Sequence, residues 1–116
     1  MEDLVRAVLR FRDEREWGQF HNPKDLAISI VLEAAELLEH FQWKRPEEVE
    51  SLLAEVGSRQ QVGEEMADVL ILLISLADAV GIDLLEAARA KLAENARKYP
   101  VERARGSARK YDQLHG

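Results

Sequence analysis

Four carboxylates stand in two pairs with the same spacing, Glu33 with Glu36 and Glu65 with Asp68. In a helix, a separation of three residues puts both members of a pair on one face. At about 100° per residue, Asp25, Ser29, Glu33, Glu36 and His40 fall within about 80° of one another. Leu26, Ile28, Ile30, Val31, Leu32, Leu37, Leu38 and Phe41 take most of the remaining circumference. A helix on a protein surface shows a broad polar face. This one has a narrow polar strip with apolar residues on both sides, the pattern of a cleft wall. Residues 61–75 repeat it, with Gln61, Glu65, Asp68 and Ser75 on one side and Met66, Val69, Leu70, Ile71, Leu73 and Ile74 over the rest.

Four carboxylates gathered in one partly buried cleft repel one another and require a cation or raised pKa values. All-oxygen donors suit Mg²⁺, with Mn²⁺ as a substitute, and such ions keep waters and bind substrate phosphates. The plainer reading, two solvated faces of amphipathic helices, serves any one of these acids better than it serves the set. A di-iron bundle needs Glu-x-x-His pairs on two helices. The residues three before His21, His40 and His115 are Gly18, Leu37 and Asp112, which puts a di-metal redox bundle well below magnesium.

The elements that must position these acids are helices, since no β alternation persists. A first helix is expected from about Asp3 to Trp17, ended by Gly18. Asn22-Pro23 reads as an N-cap followed by proline at the first helical position of a second helix, running to Phe41 or Trp43. Arg45-Pro46 breaks the chain, and a short third helix starts at Pro46 and stops at Gly57-Ser58. A long fourth helix covers about Ser58 to Val80, with Gly81 as its C-cap. Asp83 with Glu86 approximates a capping box for a fifth helix that ends before Tyr99-Pro100. The basic tail, 102–116, shows no convincing period.

At 116 residues the chain has the size of one domain, 1–116. It contains no cysteine, so disulfides, iron–sulfur clusters and thiolate zinc sites are excluded. The longest uninterrupted apolar run is 69–74, far short of the ~20 residues that span a bilayer. The N-terminus lacks the apolar core of a signal peptide, so no membrane partner and a cytoplasmic location are expected. The net charge of −6 argues against duplex nucleic acid, which needs a clustered basic surface. A phosphorylated small molecule held through a cation remains compatible with it.

In these features the chain resembles the MazG-like all-α nucleoside triphosphate pyrophosphohydrolases, and within them the dCTP pyrophosphatase group. The motifs that carry the resemblance are Glu33-Ala-Ala-Glu36 and Glu65-Met-Ala-Asp68, EREWGQFHNP at 14–23, and EHFQWK at 39–44. They continue with ADVLILL at 67–73, Lys91 followed by Asn95, KYPV at 98–101, and RGSARKY at 105–111. Paired acids alone are a weak signal, whereas this ordered set covers nearly the whole chain after residue 10. The chain departs from close relatives at Asp25, Ala35 and Leu72, where they carry Asn, Gly and Tyr.

The resemblance implies catalysis and Mg²⁺ binding by Glu33, Glu36, Glu65 and Asp68. It implies cleavage between the α- and β-phosphates, giving a monophosphate and pyrophosphate, as part of nucleotide-pool sanitation. Trp17, His21 and Trp43 are similar to the family's base pocket, for dCTP or a modified pyrimidine. Lys91, Asn95 and Lys98, on one face of the fifth helix, together with Tyr99, resemble its phosphate and sugar contacts. The expected fold is all-α, a four-helix core with an additional short helix. It is expected to assemble as a dimer or dimer of dimers, because its long helices carry more apolar surface than a monomer of this size buries. A non-catalytic helical interaction module would share those stripes, and metal content separates the two.

Overall fold

The structure, a computed structural model, describes residues 1–106, and within them every regular element is helical. Helix α1 spans Glu2–Glu14, α2 Pro23–Glu39, α3 Pro46–Ala54, α4 Val56–Val80, α5 Leu84–Lys98 and α6 Val101–Ala104. A 3₁₀ turn at Trp17–Phe20 lies between α1 and α2. The RGSARKY motif and the basic tail fall largely outside the described residues, apart from their first members. The chain forms two compact units, Met1–Ile82 with α1 to α4 and a second beginning at Asp83 with α5 and α6.

Local chemistry sets the ends of these elements. Acids Glu2 and Asp3 in the first turn of α1 and Arg12 in its last complement the helix dipole. Just beyond α1, Glu16 adopts φ 54°, the left-handed region, and its carbonyl accepts from Gln19 Nε2 at 2.9 Å. The break therefore falls before the tryptophan rather than at Gly18. Asn22 caps α2 by accepting from the Asp25 amide at 2.9 Å, with Pro23 at the first position as expected. Asp83 caps α5 by accepting from the Glu86 amide at 3.1 Å. Gly81, at φ 71°, closes α4 in a conformation that side chains other than hydrogen disfavour.

The α3–α4 boundary differs from expectation. Glu55, extended at φ −83° and ψ 126°, both ends α3 and starts α4, and Gly57 lies inside the long helix. One extended residue is enough to change helix direction, and it needs no glycine. The one-turn helix α6 also appears where no period was legible, just after Pro100.

Within the first unit α2 packs chiefly on α4, and α1 and α3 also lie against α4. The buried residues at its centre are Leu26 of α2 with Val62, Ile74 and Ala77 of α4. Ser75 is buried too, and its hydroxyl is satisfied by donating to the Ile71 carbonyl at 3.1 Å. Each fully buried aliphatic side chain contributes roughly 1.5–3 kcal/mol. Against that small core, Ile28, Val31, Leu32 and Leu38 of α2 and Met66, Ile71 and Leu73 of α4 remain exposed. The helix pair that positions the acids thus shows a large apolar surface to its surroundings.

Candidate active site

The α2–α4 pairing brings the two carboxylate pairs together. Glu33 and Glu36 come from α2, Glu65 and Asp68 from α4. The Glu33 pKa is raised above its ordinary value of 4.5. Partial loss of hydration is the largest cause, followed by repulsion from Glu36 and a side-chain hydrogen bond with it. Repulsion from Asp68 and Glu65 across the helix pair adds to these. The other three acids therefore all act on the Glu33 carboxyl group.

Glu65 supplies a second observation on these acids. Its Oε2 is buried and has no hydrogen-bond partner among the described residues. Nε2 of His40 lies 2.8 Å away, at ion-pair distance but without hydrogen-bond alignment. The donor set is four carboxylates, which fits a hard divalent cation. Among the described residues no three His, Asp or Glu side chains already converge on one point.

The base-pocket candidates occupy two connections of the first unit. Trp17 opens the 3₁₀ turn and His21 follows its end. The Trp17 indole meets the Phe11 ring edge-on at 5.6 Å, and Arg15 stacks over Phe11 with its guanidinium carbon 3.6 Å from the ring centre. His21 is half-buried, and its Nδ1 is buried without a hydrogen-bond partner among the described residues. Trp43 lies in the α2–α3 connection with 87% of its surface exposed. Among the described residues no ring contact joins it to Trp17 or His21.

Asp25 does not project freely. Its carboxylate accepts from Asn22 Nδ2 at 2.7 Å, which ties it into the cap of α2. Leu72 lies one turn beyond Asp68 on α4 and is half-buried.

The phosphate candidates belong to the second unit. Lys91, Asn95 and Lys98 share α5, and Tyr99 is its C-cap residue. Glu94 bridges the two lysines, 3.6 Å from Lys91 Nζ and 3.0 Å from Lys98 Nζ. The hydrogen bond from Lys98, with the charge of Lys91, holds the Glu94 pKa below the usual carboxylate value. The common face expected from the spacing is present, and an acid at its centre already engages both cations. That acid was legible, since Glu94 lies three residues after Lys91 and four before Lys98. His40 was visible on the acidic stripe, four residues beyond Glu36, but its partner on α4 was not.

The MazG-like family model matches residues 28–114. The chain is 43% identical over 117 residues to dCTP pyrophosphatase 1 of Bos taurus, spanning 100% of this chain and 69% of the bovine protein. It is 42% identical over 117 residues to dCTP pyrophosphatase 1 of Homo sapiens, with the same shares of each chain. Among solved structures, it is similar to a pyrophosphatase from Archaeoglobus fulgidus at TM-score 0.72 and 49% identity, covering 86% of this chain and 92% of that one. The chain belongs to the MazG-like family.

Proposed function

We propose that this chain hydrolyses dCTP or a modified pyrimidine deoxynucleoside triphosphate to the monophosphate and pyrophosphate, with Mg²⁺ as its cation and Mn²⁺ as a substitute. It is a nucleoside triphosphate pyrophosphohydrolase, in agreement with relatives named dCTP pyrophosphatase and a structural neighbour that is a pyrophosphatase. The observation that carries the site assignment is the meeting of four acids at the α2–α4 pair, with Glu33 held above its ordinary pKa by burial and by the other three.

In this reading Glu33, Glu36, Glu65 and Asp68 hold the cation, and their fixed helical positions orient it. The cation, when bound, neutralises charge on the phosphoryl oxygens and helps water attack phosphorus. Trp17 and Trp43 provide aromatic faces for the base, which favour binding of any base. Discrimination needs a polar group shielded from water, and the buried, unpartnered Nδ1 of His21 supplies one. Lys91, Asn95, Lys98 and Tyr99 serve the phosphates and sugar, with Glu94 beside both lysines.

The exposed Ile28, Val31, Leu32 and Leu38 of α2 and Met66, Ile71 and Leu73 of α4 support assembly as a dimer or tetramer. The protein acts as one domain, in the cytoplasm, in nucleotide-pool sanitation, without a nucleic-acid or membrane partner. A panel of nucleoside triphosphates with Mg²⁺, read as released pyrophosphate, tests the substrate assignment. The highest kcat/KM is expected for dCTP or a 5-substituted relative. Equal use of purine triphosphates would overturn the pyrimidine preference.

A further inference from the structure

We propose that His40 is a positioning residue, holding the Glu65 carboxylate through Oε2 so that the other oxygen is directed to the cation. The proposal rests on the reading of the four acids as a cation site and adds to it a residue outside that set. His40 ends α2, seven residues beyond Glu33 and four beyond Glu36, so it shares their stripe. Its Nε2 reaches across to α4 and stops 2.8 Å from Glu65 Oε2, with the two side chains 19% and 23% exposed. The Phe41 ring flanks the imidazole at 6.3 Å between centres.

The need for a partner comes from Glu65. Its Oε2 is shut off from water, and a buried acceptor without a donor is destabilising. The imidazole of His40, with Nε2 2.8 Å from that oxygen, is placed to supply the donor. The 2.8 Å separation is already of hydrogen-bond length, and a rotation of the ring aligns the N–H with the oxygen. A neutral imidazole suffices, because one ring nitrogen then carries a proton and donates. A carboxylate fixed at one oxygen loses the freedom to swing away from the ion. Such hydrogen bonds to ligating groups typically account for about 10- to 100-fold in metal affinity.

The test is calorimetric titration of the full chain with Mn²⁺ alone, beside thermal unfolding of each metal-free variant. His40→Leu removes the donor and should weaken Mn²⁺ binding by about 10-fold or more, while the unfolding midpoint shows a folded chain. His40→Gln keeps an N–H donor at similar reach and should recover most of the affinity. His40→Asn, polar but too short to reach Glu65, should bind as weakly as His40→Leu, and decides the matter if the leucine variant does not fold. Wild-type or tighter binding in His40→Leu or His40→Asn would overturn the proposal, as would no recovery in His40→Gln. Glu65→Gln separates the two levels of the argument. If it binds Mn²⁺ as wild type does, the cation site itself is misassigned. If it loses binding while His40→Leu does not, only the role of His40 fails.

Discussion

Replacing Arg12 with methionine should loosen α1 from α4, by an amount that the geometry brackets. Arg12 Nη1 donates to Asp78 Oδ2 at 2.5 Å, sixty-six residues along the chain, and its Nε donates to Asp13 Oδ1 at 2.9 Å. Helix α1 has no fully buried residue, so this link carries an unusual share of its attachment. The Arg12 side chain is 14% exposed and that of Asp78 is 42% exposed. The Arg12 pKa is raised, chiefly by the hydrogen bond to Asp78 acting against desolvation.

A fully exposed pair is worth about 0.2–1 kcal/mol, and breaking a fully buried one costs about 3–5 kcal/mol. With one partner shielded and the other nearly half in water, Arg12→Met should cost about 1–2 kcal/mol, nearer the exposed limit. Methionine keeps the apolar stem, so the loss reports the charge and its hydrogen bonds rather than packing. For a domain of this size each ~1 kcal/mol lowers the thermal midpoint by roughly 3–6 °C. A double-mutant cycle of Arg12→Met with Asp78→Asn, by thermal or urea unfolding at fixed protein concentration, should give a coupling of about 1 kcal/mol. The coupling should shrink in ~1 M NaCl, where the screening length is about 3 Å. A coupling within about 0.3 kcal/mol of zero at low salt would refute the reasoning, and α1 would then be held by its apolar contacts alone.

Other consequences concern the site. Glu36→Gln and Glu65→Gln keep shape and remove charge, so each should abolish turnover without lowering the metal-free unfolding midpoint, and near-wild-type activity in both at saturating Mg²⁺ would contradict the acid assignment. Because the Glu33 pKa is raised, the folded chain holds this proton to higher pH than the unfolded chain does. Its contribution to metal-free stability therefore falls as pH rises from the ordinary value of 4.5 through the raised one, and a Glu33→Gln midpoint-versus-pH series should lose that descent. Trp43→Ala, at a position 87% exposed, should leave the fold intact yet raise KM for every nucleotide by a similar factor. The stacking involved is worth about 1–3 kcal/mol, or roughly 5- to 150-fold, and an unchanged KM would place the base elsewhere.

The helices and the acidic stripes were legible because they depend on spacing along one chain. Glu33 and Glu36, or Glu65 and Asp68, share a face on any straight helix, and Asn22-Pro23 and Gly81 mark ends through local backbone chemistry. What escaped depends on conformations that no residue type demands. Glu16 takes a left-handed φ although Gly18 is close by, and Glu55 turns the chain in an extended conformation although Gly57 follows. The contacts of Arg12 with Asp78 and of His40 with Glu65 join helices distant in sequence, so no period contains them. The engagement of Lys91 and Lys98 by Glu94 lies between these cases, readable from helix spacing once the helix is granted.

The central claim, hydrolysis at the α–β link, is tested most directly by identifying the products from dCTP with Mg²⁺ by phosphorus NMR as the reaction proceeds. Attack at that link yields dCMP and pyrophosphate in equal amounts, with neither dCDP nor inorganic phosphate at any stage. Appearance of dCDP with inorganic phosphate would place the cleavage at the β–γ link and contradict the account, whatever cation the four acids hold.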